Sequence, residues 1–412
     1  MTKLKELESN VKYYCNKYPA IFSKAHDCFI VDIKGKKYID FFSGAGALNY
    51  GHNNQIIKKA LIEYISQDGI THSLDMFTSA KEAFVDNFYN TILKPRDMNY
   101  KFQFCGPTGT NSVEAALKLA RKVTKRQNVV SFTGSFHGVS LGSLSVSASK
   151  SKRLSSGVSL NNTVFMPYED FFTEKVDTLS LINQFLTNPS SGIEPPAAII
   201  LETIQAEGGI NTSSKNWLVG ISEIAKKIGA LLIVDDIQVG CGRTGQFFSF
   251  ENVIKPDIIC LSKSLSGFGL PLSLVLLNPD IDLWLPGEHN GTFRGNNHAF
   301  ITASAALDFW KDKNFENLLH QKSFLLEQLL LEKLYDHHLV KSCRGRGLIR
   351  GIEFNDSKIA EKIILKSFEK GLIIESCGSY NHIIKLLPPI IIDDRILREG
   401  IEILYSVINE IG

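Results

Sequence analysis

The sequence predicts an α/β protein, a large domain built on a mostly parallel sheet plus a smaller α+β domain. Three observations point there. Short, continuously apolar runs alternate with amphipathic helical stretches through the middle of the chain. Those runs lack the polar-apolar alternation of half-exposed strands, so they read as strands covered by helices on both faces. After about residue 297 the pattern changes to long helices interleaved with two strands.

Taken in order, short strands at 28–33 and 37–42 are too few to stand alone and are expected to pack with the C-terminal unit. KFQFC at 101–105 reads as a strand. The Gly/Thr turn after it leads into a helix over 112–125, whose Val113, Ala116, Leu117 and Ala120 share one face. Val129–Phe132 is a second strand. Continuous apolar runs at 197–201 and 231–234 flank a helix at 217–228, and Ile258–Leu261 is a further strand. Helices at 299–311 and 315–334 then precede strands at 348–354 and 382–387 and helices at 358–370 and 395–408. The expected division is an N-terminal segment (1–50), a large domain (51–297) and a small domain (298–412), with no Pro/Gly/Ser linker between them.

Composition narrows the function. Of 412 residues 44% are hydrophobic and 21% charged, which excludes disorder, collagen and coiled coil. Lys and Arg number 45 against 43 Asp and Glu, a net +2, so no basic field gathers a nucleic acid or an anionic membrane. The first twenty residues carry no apolar signal core and no run is long enough for a membrane span, so a cytoplasmic protein is expected. Seven cysteines, widely spaced and without a CxxC pair, predict free thiols rather than a disulfide framework or a zinc site. With no HExxH and no clustered His/Asp set, no metal is expected.

One motif misleads. Gly240, Gly242 and Gly245 in GCGRTG spell a dinucleotide fingerprint, but five residues separate it from the strand, QFFSFE after it is no helix opening, and no acid stands about 20 residues on. A tightly folded loop is the better reading. Nor does a Walker lysine follow the Gly106–Gly109 turn.

Four other features combine. Residues 106–111 (GPTGTN) end a strand and open a helix, where free N–H groups and hydroxyls suit a phosphate, although Thr and Asn also simply cap helices. Asp235 and Asp236 end the buried run LLIV, where open α/β sheets bind ligands; a turn or cap explains such a pair equally well. Lys263 sits among small residues directly after a buried strand, and burial there would fit it for forming an imine. Phe136 in SFHG is either a core residue or a cover for a planar ring. Together they make the kind of site a pyridoxal phosphate enzyme needs.

At this point the chain resembles the class III (omega) aminotransferases, a branch of the fold-type I pyridoxal-phosphate-dependent transferases. DDIQVGCGRTG from Asp235, the Lys263 loop, GTFRGNN at 291–297 and KLLPP at 385–389 carry the resemblance. FFSGAGALNYGHNN at 41–54 and FCGPTGTNSVEAALKLARK at 104–122 make it closest to the diaminobutyrate–2-oxoglutarate branch, as does PGEHNGTFRGNNHAF at 286–300.

The resemblance implies an enzyme, using pyridoxal 5'-phosphate, that exchanges amino groups between L-glutamate and L-aspartate 4-semialdehyde, giving L-2,4-diaminobutyrate and 2-oxoglutarate. The rival within the class acts on 4-aminobutyrate or ornithine. Lys263 is implied as the residue that holds the cofactor covalently and shuttles a proton, and Asp235 as the partner of its ring nitrogen. Gln238 is implied beside the ring hydroxyl, Gly109 and Thr110 at the phosphate, and Phe136 on the ring face. Thr292 is implied to reach the phosphate from a neighbouring subunit, which requires at least a homodimer. Glu207 and Lys385 are the implied substrate contacts. Lys385 departs from the pattern, because many relatives carry there an arginine that alternates between a glutamate and the substrate, and lysine lacks the planar fork. Thr203 (for Pro), Asp236 (for Glu) and Asn297 (for Pro) are further departures.

Overall fold

The computed structural model describes residues 2–412. Its centre is a seven-stranded sheet. From edge to edge the strands are Lys101–Phe104, Leu274–Leu277, Ile258–Leu261, Leu231–Asp235, Ala198–Leu201, Val129–Phe132 and Thr163–Met166. Neighbours from Ile258–Leu261 outward to Thr163–Met166 pair in parallel. Leu274–Leu277 runs antiparallel to both of its neighbours, so every other strand points one way and their C-terminal ends share a rim.

Successive residues of each strand divide between two cores, as the period of two requires. Ile199, Leu201, Leu232 and Val234 join Trp217, Ile221, Phe84 and Phe300 on one face. Ala198, Ile200 and Ile233 meet Val113, Ala116 and Ala120 on the other. That is why these runs show no alternation. The helix at Gly109–Thr124 starts three residues earlier than its apolar face predicts, because Thr108 and Asn111 close its first turn. Leu274–Leu277 and the edge strand Thr163–Met166 are not foreseen by the sequence reading.

The C-terminal part forms an antiparallel sheet in the order Val340–Arg346, Ile349–Phe354, Ile383–Leu386, Glu375–Cys377. Helices Lys313–Lys333, Ser357–Glu369 and Asp394–Ile411 contribute to its core. The N-terminal strands Phe22–His26, Phe29–Asp32 and Lys37–Asp40 make a separate sheet, completed when Lys37–Asp40 pairs in parallel with Leu372–Ile373. Val340–Arg346 is too polar to be read as a strand beforehand. All seven cysteines are free thiols, and no helix among the described residues is long and apolar enough to cross a membrane.

Candidate active site

A cavity of about 150 Å³ opens at the shared rim. Gly109, Thr110, Phe136, Glu207, Asp235, Gln238 and Lys263 all line it. They come from loops after five different strands, which is what a common strand direction brings about.

Lys263 opens a short 3-10 turn directly after Ile258–Leu261, with φ at +49°, a backbone conformation a side-chain-bearing residue adopts only when its surroundings impose it. Burial lowers its pKa against the opposing pull of Glu207, and no hydrogen bond to a described residue engages its amine. Asp235 ends its strand with Oδ2 2.7 Å from His137 Nδ1, while Oδ1 accepts from Ile237 N at 3.1 Å. His137 is buried and its Nε2 has no partner among the described residues. Asp236, one residue on, turns to the opposite side. It accepts from Ser249 N and Oγ, and burial pushes its carboxyl up to about 7.

Below Asp235 lies Glu202, which accepts from Phe136 N at 3.1 Å. Burial, reinforced by the Asp235 charge, holds the Glu202 carboxyl well above the usual range. The Phe136 ring lines the cavity and carries Lys152 Nζ 4.3 Å from its centroid.

At the helix opening the two readings of GPTGTN divide between neighbours. Thr108 and Asn111 serve each other as caps: Asn111 Oδ1 accepts from Thr108 N at 3.2 Å and from Thr108 Oγ1 at 2.8 Å. Gly109 and Thr110 are left facing the cavity. Thr110 Oγ1 lies 2.8 Å from Ser140 Oγ and touches Ser143 Oγ. Glu114 Oε1 anchors that cluster, accepting from Ser140 Oγ at 2.6 Å and Ser143 N at 3.0 Å. Gly138, at φ +128°, passes so close that a Cβ there would collide with Thr110 Oγ1.

The opposite wall is a charged triad. Lys385 Nζ donates to Glu207 Oε1 at 2.6 Å and to Gln238 Oε1 at 3.3 Å, and lies 2.9 Å from Glu375 Oε1. Lys385, implied as a substrate contact, is fully buried and does not itself line the cavity, whereas its partner Glu207 does. Burial alone would raise the Glu207 carboxyl; Lys385 and then Lys263 pull it down to about 2. Burial opposes the Lys385 charge too, yet the two carboxylates hold it above its ordinary value. Glu375 is shifted the other way, raised by burial against Lys385. One cation thus serves two unequal carboxylates, Glu207 holding its charge more firmly.

Thr292 stands apart. It is exposed and outside the cavity, with its carbonyl oxygen 2.8 Å from His72 Nε2. Two departures from the family pattern are absorbed locally. Thr203 Oγ1 donates to Ser249 Oγ at 2.6 Å, and Asn297 accepts from Thr78 Oγ1 at 2.6 Å while donating to Ser73 Oγ at 3.0 Å. GCGRTG folds as a tight loop, Cys241 N donating to Phe247 O at 2.7 Å, and Arg243 is buried against Leu348 O and Asn49 Oδ1. Sequence reasoning missed His137, Glu202 and Glu375. Only His137 left a signal, as the neighbour of Phe136 in SFHG.

The side chains suit pyridoxal phosphate. A partnerless amine, a strand-end carboxylate and an aromatic ring surround one space, with the Gly109–Thr110 helix opening at its edge.

A family model described as aminotransferase class-III matches residues 13–408. A diaminobutyrate--2-oxoglutarate transaminase of Halalkalibacterium halodurans is 51% identical over 411 residues, 99% of this chain and 96% of the relative. One from Bordetella parapertussis is 50% identical over 408 residues, 98% and 94% of the two chains. Among solved structures, an ornithine aminotransferase of Toxoplasma gondii, described as having partial occupancy of PLP at its active site, superposes with a TM-score of 0.85. It is 25% identical, covering 100% of this chain and 94% of that one.

Proposed function

This chain belongs to the class III aminotransferases, and from that premise we propose that it exchanges amino groups between L-glutamate and L-aspartate 4-semialdehyde, forming L-2,4-diaminobutyrate and 2-oxoglutarate. The fold is fold-type I and the cofactor is pyridoxal 5'-phosphate. One observation carries the reading: a partnerless Lys263 amine and the Asp235 carboxylate line the same cavity, in a chain half identical to diaminobutyrate transaminases.

When bound, pyridoxal phosphate supplies the electron sink that lets an amino group be transferred. The chain supplies position, charge and proton transfer. Lys263 would hold the cofactor and carry a proton between Nζ and the substrate carbon; its lowered pKa favours the neutral amine that can accept one. Asp235 keeps the ring nitrogen protonated, and His137 fixes the carboxylate that does so. Of the residues that line the cavity, Gln238 would lie beside the ring hydroxyl, Phe136 would cover the ring, and Gly109 and Thr110 would hold the phosphate at the positive end of a helix. Glu207 faces the substrate, with Lys385 behind it.

Thr292 completes the phosphate site from a second copy in a homodimer. In support, Thr292 lies outside its own cavity, and Phe293 beside it and Phe77 are 65% and 98% exposed. The protein acts in the cytoplasm, and its units divide near residues 50 and 297. A panel of amino donors and aldehyde acceptors with product identification tests the function. A higher specificity constant for 4-aminobutyrate or ornithine than for diaminobutyrate overturns it.

A further inference from the structure

Glu207 meets the cavity with one oxygen engaged and the other open. Oε1 accepts from Lys385 Nζ at 2.6 Å and Gln238 Nε2 at 3.2 Å, whereas Oε2 has no partner among the described residues. Lys385, behind it, donates to Glu207 Oε1 and Gln238 Oε1 and forms an ion pair with Glu375. Glu375 opposes Lys385 directly across neighbouring antiparallel strands, so backbone register sets their separation. What this wall presents to a substrate is therefore a carboxylate oxygen, backed by a cation that keeps it ionised.

The inference rests on diaminobutyrate being a substrate. Diaminobutyrate and 4-aminobutyrate share the carbon chain, the terminal amine and the carboxylate, and differ only in the α-ammonium group. An open, ionised acceptor at the distal wall distinguishes them. We propose that Glu207 binds the α-ammonium of diaminobutyrate through Oε2, and that Lys385 and Glu375 are positioning residues that hold Glu207 there.

The test compares kcat/KM of the holoenzyme for diaminobutyrate and for 4-aminobutyrate, with 2-oxoglutarate as acceptor. A hydrogen bond between charged groups sets the expected scale. Glu207→Gln should lower the diaminobutyrate to 4-aminobutyrate ratio by roughly ten- to a hundredfold, through a higher KM for diaminobutyrate. Glu207→Asp should retain part of the preference. Glu375→Gln should lower the same ratio by less, again through KM. Borohydride-treated holoenzyme, in which turnover is blocked, gives an equilibrium reading: calorimetric titration should show Glu207→Gln weakening diaminobutyrate binding and sparing 4-aminobutyrate. Equal loss for both amines, or an unmoved ratio in a folded Glu207→Gln protein, overturns the proposal. Wild-type enzyme that fails to use diaminobutyrate overturns instead the reading beneath it, and is told apart because it appears with no substitution made.

Discussion

Asp235 at one end of the cavity and Glu207 at the other each accept a nitrogen at close range, 2.7 Å from His137 and 2.6 Å from Lys385. The similarity stops there. At the Glu207 end a lysine already stands between two carboxylates before anything binds. At the Asp235 end no lysine or arginine forms an ion pair with Asp235 among the described residues; it has an imidazole, a backbone N–H and the charge-averse Glu202 below it. A strand-end carboxylate left in that condition is ready for a cationic ring nitrogen. The finished end recognises; the unfinished end waits for the group that reacts.

The strongest way to break this contrast is at Lys263, the amine between the two ends. Lys263→Ala should abolish transamination, since attachment and proton movement both pass through one nitrogen. Borohydride reduction and peptide mapping should find the cofactor on Lys263, and an adduct on any other lysine removes it from the role. Next in size is Asp235→Asn, which should keep the fold and lose several decades of rate, each decade being about 1.4 kcal/mol of barrier. Asp236→Asn should cost far less. Stopped-flow rates for the two variants in reversed order would show that the motif is misread by one residue.

The finished end should respond in binding and stability. Lys385→Ala leaves Glu375 buried without its cation and Glu207 without its ion-pair partner, and losing one partner of a buried pair costs about 3–5 kcal/mol. The thermal midpoint should fall, and the KM for glutamate should rise more than kcat falls. An unchanged glutamate KM would show that Lys385 does not act on the substrate through Glu207. Ornithine, one methylene longer than diaminobutyrate, should be disfavoured by only about tenfold to a few hundredfold, because a pocket rejects a methylene by about 1–3 kcal/mol.

An effect on stability alone belongs to Asp236. Its folded pKa of about 7 lies above the ordinary aspartate value of 3.8, so the folded protein binds the extra proton and stability declines as pH rises between those values. The contribution from this one group is at most about 1.4 kcal/mol per pH unit. Denaturant titrations at several pH values should show that part of the slope missing in Asp236→Asn, and an identical slope in both proteins would refute the assignment.

The unfinished end was legible from local pattern, whereas at the finished end Glu207 and Lys385 came only from the family resemblance and Glu375 was missed, and the reason is register. Asp235, Lys263 and the Gly109–Thr110 opening each directly follow or end an apolar run, so local pattern alone puts them at a strand terminus. Strand direction does the rest. Glu375 becomes a partner of Lys385 only through the pairing of two short strands, and Glu207 joins them from a separate loop. Nothing near any of the three residues announces the others. Leu274–Leu277 escaped for a related reason: its apolar run says strand, but only the neighbours say that it runs backward.

The N-terminal sheet is closed by a strand that leaves the ribosome very late. Ile39 pairs with Leu372, Phe41 N donates to Ile373 O, and Leu387 N donates to Phe41 O. At about 5–20 residues per second, the nascent Lys37–Asp40 segment is without that partner for tens of seconds. The same late stretch brings Glu375 and Lys385. The residues of the Asp235 end have therefore all left the ribosome before Glu375 and Lys385 exist, and the charged wall around Glu207 is the last part of the cavity that can be assembled.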